Sequence, residues 1–167
     1  MLSVRDSILP DFDHEMAATR GVLERLPEAS ADWQPHVDSL SLGHLAVHLS
    51  EIPAWGLRIL TRDGDELQTR GPDGRARDGL RASLLRAFDE HVRVVRARLV
   101  GMSDAELLAP WALTERGRLV VSMPRVAAFR RFVIHHTIHH RGQLSVYCQQ
   151  HGVALPGLYG PSTSEVL

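Results

Sequence analysis

The chain has 167 residues, 44% of them hydrophobic and 23% charged, which suits one domain with a sizeable core and leaves little room for a second. Its 19 basic residues, all arginine, meet 20 acidic ones for a formal net charge of −1, so there is no electrostatic footprint for nucleic acid or an anionic membrane. No stretch approaches the ~20 apolar residues of a membrane helix, no signal peptide is evident, and the single cysteine, Cys148, allows no internal disulfide; a cytoplasmic protein is expected.

Four long helices are expected. The first runs from about Val4 to Leu26, with Leu9, Phe12, Met16, Leu23 and Leu26 near helical spacing; Pro10 marks a start or a kink, and Pro27 ends it. The second opens at Ser39 or Ser41, both good N-cap residues, and carries Leu42, Leu45, His48, Leu49, Ile52 and Ile59 on one broad face. Pro53 lies inside it and predicts a kink or break near Ile52. Thr61 to Arg77, with Gly71-Pro72-Asp73-Gly74, reads as a solvent-exposed loop. The third helix spans about Asp78 to Val100 on a stripe of Leu80, Leu84, Phe88, Val92, Val95 and Leu99, and Gly101 stops it.

Ser103 to Glu106 has capping-box spacing for a short turn. Trp111 to Val121, with Glu115-Arg116-Gly117 at its centre, suggests a β-hairpin. The fourth helix begins near Ser122, has Pro124 in its first turn and runs to about Gln150; the tail, Val153 to Leu167, reads as a loop. The fold expected is an all-α, antiparallel four-helix bundle with a small β-hairpin before the last helix, one domain over 1–167. The longer connection between helices two and three is a candidate for crossing the bundle.

Ten histidines carry the functional signal. The segment from Phe132 to Gln143 holds two interleaved HxxxH pairs, His135 with His139 and His136 with His140. Residues four apart stack one turn above another on one helix face, so either pair can meet one metal ion. Val126, Phe129, Val133, Leu144 and Tyr147 share a stripe with His136 and His140, and that stripe is bulkier than the one holding Ala128, Phe132, Gly142 and Val146 with His135 and His139. A third ligand must come from another helix: His48 leads, and His44, one turn earlier, is the alternative. His14, His36, His91 and His151 read as surface or cap residues, His91 on a solvated face.

Three passages resemble the DinB/YfiT family of metal-dependent helical-bundle proteins: Leu42 to Pro53, His136 to Leu144 with its HxxHHRGQ pattern, and Val153 to Ser162. The resemblance implies an up-down-down-up four-helix bundle, often homodimeric, with a divalent metal held by His48, His136 and His140. It also implies metal-assisted thiol S-transfer, with a low-molecular-weight thiol as cosubstrate, or hydrolysis of a small-molecule substrate in stress response or detoxification. The other classes are a non-catalytic metal- or ligand-binding bundle and a structural dimerisation module.

Three neutral imidazoles leave a coordination position for water or substrate, whereas a closed structural site uses four protein ligands. Cys148 lies eight residues beyond His140, roughly 12 Å along a helix, too far to share the ion. Zinc or nickel suits such a site, and a bound ion can bring the pKa of its water to about 7. His139, Glu51, Arg141 and Tyr159 are candidate catalytic residues, with His44, Gln143 and Tyr147 as further supporting groups. Arg141 orients a substrate carboxylate or makes a surface salt bridge, and Trp55 and Trp111 line a pocket mouth or pack the core.

Overall fold

Apolar residues at helical spacing build the bundle, with polar caps setting its boundaries. The computed structural model describes residues 3–67 and 79–160. In chain order it contains α1 (Leu9–Leu23), α2 (Leu42–Thr61), β1 (Gly64–Glu66), α3 (Leu80–Val100), α4 (Asp104–Leu108), β2 (Pro110–Glu115), β3 (Arg118–Pro124), α5 (Arg125–Phe129) and α6 (His136–Gln150). A π-helical turn, Arg130–His135, joins α5 to α6.

α1 begins later than the apolar spacing suggests. A 3₁₀ turn at Arg5–Ser7 precedes it, and Pro10 occupies the first turn, where its missing N–H costs nothing. Ser41 caps α2, its hydroxyl accepting the His44 N–H. Pro53 is buried inside α2 and does not end it, since the helix runs on to Thr61. α4 carries a full capping box between Ser103 and Glu106.

The hairpin is longer than expected. β2 and β3 pair antiparallel from Pro110↔Pro124 to Glu115↔Arg118, so the strand takes the Ser122–Pro124 stretch and the last helical run starts at Arg125. Arg116 and Gly117 turn with φ of 51° and 72°, the left-handed pair of a tight hairpin turn. β1 falls within the expected Thr61–Arg77 loop and pairs parallel with β2. Three residues without apolar alternation give no strand signal. Gly64 is required there, because a Cβ would meet the Ala112 carbonyl oxygen at 2.8 Å. The Gly71–Gly74 turn, Asp78 and the tail beyond Gly160 lie outside the described residues.

Contacts fix the helix directions. Arg96 pairs with Asp13 and Arg20 with Asp89, so α1 and α3 are antiparallel. Arg130 reaches Ser7 while Arg141 reaches Glu15 and Thr19, so α1 and α6 run parallel. His48 meets His136 while Gly56 lies against Phe129 and Val133, so α2 and α6 are antiparallel. The order is up-down-down-up, with α1 and α2 at opposite corners, each packed on α3 and α6. α2 and α3 are therefore parallel. The core between the four helices includes Phe12, Met16, Leu45, Leu49, Phe88, Val95, Phe129 and Val133. Among the described residues no helix is long and apolar enough to cross a membrane.

Candidate metal centre

The π turn decides which histidines face α2. Upstream of it, Val126, Phe129 and Val133 are buried, as their shared stripe predicts. Downstream, Leu144 stays buried as the stripe predicts, while Thr137, Arg141 and Cys148 are buried one position on from His136, His140 and Tyr147. A π turn holds one extra residue, and one residue is about 100° of helix rotation. The shift moves His136 and His140 off the core stripe to half-buried positions beside α2, while His135 and His139 are exposed.

Three imidazoles converge there. His136 Nε2 lies 3.2 Å from His48 Nε2 and 2.7 Å from His140 Nε2, and one ligand atom from each ring falls within 4.8 Å of the other two. His140 Nδ1 is 2.7 Å from Gln143 Oε1, an acceptor, so the His140 proton sits on Nδ1 and its Nε2 presents a lone pair. The Phe132 backbone raises the affinity of the His136 ring for a proton, against the larger effect of burial. Two Nε2 lone pairs so close repel each other unless a cation or a proton lies between them. Imidazole–zinc bonds of about 2.0–2.1 Å place neighbouring nitrogens about 2.9–3.3 Å apart for right-angle to tetrahedral geometry. The 3.2 Å separation lies within that range and the 2.7 Å one just below it, so the donor set fits a divalent ion once the His136 and His140 rings move slightly apart, with the Gln143 amide as an outer partner.

Burial, followed by the neighbouring His140, lowers the pKa of His48 to about 4. Burial, followed by His140, His48 and His139, lowers that of His136 to about 4. His140 shifts down as well, through burial. All three are neutral at pH 7, the form that ligates metals.

Other candidate residues lie at varied distances from this point. His44 is bonded through Nδ1 to Ser41 Oγ at 2.9 Å and is not among the three converging rings. His139 packs its exposed ring on His140, with centroids 4.9 Å apart. Glu51 is half-buried on α2. Tyr147 is half-buried against Trp33. His91 differs from the solvated position expected for it: it is half-buried, its Nδ1 3.1 Å from the Ser50 carbonyl across the α2–α3 interface.

Arg141 is neither on the bundle surface nor beside the three rings' open side. It is 1% exposed, ion-paired to Glu15 at 2.6 Å, and bonded to the Glu15 carbonyl, Thr19 Oγ1 and the Tyr159 hydroxyl. Tyr159 in turn donates to the Glu15 carboxylate, and burial followed by that carboxylate raises its pKa, which keeps the donor proton in place. This cluster ties the tail to α1 and α6. Glu15 went unrecognised in the sequence, although a carboxylate among Phe12, Met16 and Thr19 on an apolar face is a signal for a buried partner.

Trp55 and Trp111 separate. Trp111 is 1% exposed and packs in the core, whereas Trp55 is half-buried with its ring plane at 80° to that of His136, centroids 6.2 Å apart. Asp65, from the unrecognised strand β1, accepts hydrogen bonds from Trp55 Nε1 and Arg58 Nε.

The model of the family described as "DinB family" matches residues 1–166. An uncharacterized protein of Bacillus subtilis, YrdA, is 25% identical over 169 residues, covering 99% of this chain and 93% of its own length. The crystal structure of a DinB-like protein from Bacillus cereus superposes with a TM-score of 0.70 at 21% identity, over 95% of this chain and 100% of that one. A second DinB-like protein, YjoA of Bacillus subtilis, superposes with a TM-score of 0.66 at 17% identity, over 91% and 97%. Both likenesses are of fold.

Proposed function

The chain belongs to the DinB family, and on that footing we propose that it is a metal-dependent enzyme whose His48, His136 and His140 hold zinc or nickel. The observation that carries the proposal is the convergence of three Nε2 atoms on rings that are neutral at pH 7, with Gln143 holding His140 in the tautomer that frees its Nε2. A bound divalent ion supplies Lewis acidity at the coordination positions that three imidazoles leave open.

The chain's own residues do the rest. Gln143 holds His140 in the ligating tautomer. The rings of Trp55 and Phe132, 5.1 Å apart, shield one flank from water. His139, exposed against His140, is the group placed to move a proton between substrate and solvent. Arg141 and Tyr159 receive no catalytic role, because their polar atoms are engaged with Glu15. The reaction class we assign is S-transfer from a low-molecular-weight thiol to a small-molecule substrate, or hydrolysis of such a substrate, in cytoplasmic detoxification.

Elemental analysis of protein supplemented with zinc or nickel and then dialysed tests this. A stoichiometric ion is expected in the wild type and its loss in His136→Ala. Wild-type protein that retains no metal overturns the proposal, and turnover insensitive to a chelator overturns its catalytic part.

A further inference from the structure

Two tryptophans are treated oppositely by their surroundings. Trp111 is fully buried, yet its Nε1 has no hydrogen-bond partner among the described residues. Trp55 is only half-buried, where water can satisfy an N–H, yet a carboxylate is committed to it: Asp65 Oδ2 accepts from Nε1 at 2.9 Å. That carboxylate is itself 7% exposed and ion-paired to Arg58 at 2.8 Å. Asp65 also accepts from the Glu66 backbone N–H through Oδ1 and from Arg58 Nε through Oδ2, with Arg62 3.9 Å away, so one buried carboxylate ties the indole to the α2 arginines and to β1. What the arrangement does achieve is a fixed indole plane.

The plane is fixed beside the three histidines. His48 and Trp55 are seven residues apart, two turns along the same side of α2. The indole meets the His136 ring edge-on, at 80°, and lies against Phe132 at 5.1 Å. Because its N–H is taken by Asp65, the indole offers a neighbour its π face and carbon edge and no hydrogen bond. Recognition by such a wall is by stacking and apolar contact.

We propose that Trp55, held by Asp65, is the specificity wall of the three-histidine site and that it selects metal-directed ligands carrying a planar, aromatic or similarly flat apolar group next to the metal-binding atoms. Asp65 acts as a positioning residue. The inference rests on the reading of His48, His136 and His140 as metal ligands, and the test separates the two.

Titration calorimetry of the zinc-loaded full chain with acetohydroxamate and with benzohydroxamate compares probes with one metal-binding group and different flat appendages. The wild type is expected to prefer benzohydroxamate by about tenfold, the scale of one aromatic contact. Trp55→Leu is expected to abolish the preference while holding acetohydroxamate affinity within about twofold. Asp65→Leu, which leaves the ring present but unfixed, is expected to reduce the preference and alter the near-ultraviolet tryptophan dichroism. Asp65→Asn, whose amide oxygen still accepts from Nε1, is expected to retain both. Equal wild-type affinity for the two probes overturns the inference and leaves the metal reading standing, as does a preference that survives in Trp55→Leu or, should that variant not fold, in Asp65→Leu. Failure of zinc itself to bind overturns both.

Discussion

Arg141 and His140 are adjacent in sequence, and burial gives them different work. The Arg141 guanidinium is 1% exposed and its partners all come from α1 and the tail. Removing one member of a buried ion pair strands the other, so Arg141→Ala is expected to lower unfolding free energy by about 3–5 kcal/mol in a urea titration. Tyr159→Phe, which removes one hydrogen bond to a charged pair, is expected to cost less, about 1.5–3 kcal/mol; the reverse order contradicts the assignment. The three site histidines respond to pH. With pKa values lowered to about 4 from 6.5, folded His48 and His136 stay neutral while the unfolded chain takes up protons. Stability of the metal-free protein from these groups is therefore full above pH 6.5 and falls as pH drops toward about 4, where the folded state also begins to protonate. Melting temperatures of wild type and a His48→Asn/His136→Asn double variant should converge over that interval; parallel curves contradict it. The histidine spacing was legible in the sequence because residues four apart must stack on a helix. Glu15 as the partner of Arg141 was not, since they are distant in sequence and meet only through packing.

At the scale of elements, the π turn at Arg130–His135 has the largest consequence. An uninterrupted α-helix through this stretch would keep His136, His140 and Tyr147 on the core stripe with Phe129, whereas the extra residue passes burial to Thr137, Arg141 and Cys148. Deleting the exposed Arg131 removes the extra residue and should close the turn to α geometry with the phase of α6 kept. The expected result is metal binding retained together with the far-ultraviolet helical signal; loss of metal binding in a folded deletion variant excludes the phase role. Periodicity alone cannot register such a turn, because the extra residue leaves no gap in the apolar pattern and only shifts its phase. β1 was hidden for a related reason: its pairing with β2 depends on where the α2–α3 connection passes, not on its own three residues. The Ser41 cap, the Ser103–Glu106 capping box and the Arg116–Gly117 turn, by contrast, are local chemistry and were visible or nearly so.

Over the whole molecule, up-down-down-up order places α2 antiparallel beside α6, which brings residue 48 to residues 136 and 140. A ligand bound only by the native state must stabilise the entire fold, by about 2.7 kcal/mol at a hundred times its dissociation constant. Adding zinc or nickel should raise the melting temperature of the wild type, with the shift absent in His48→Ala and His140→Ala; an equal shift in all three points to adventitious sites. By itself the sequence determined the four helices, the hairpin, the family and the set of histidines able to ligate, because apolar periodicity, caps and i, i+4 spacing act over a few residues. Only the tertiary structure decided that His136 and His140 sit beside the core stripe, that Arg141 is buried away from them, and that Asp65 holds Trp55. Those outcomes depend on helix phase and on which elements become neighbours, and both are set by packing the whole chain at once.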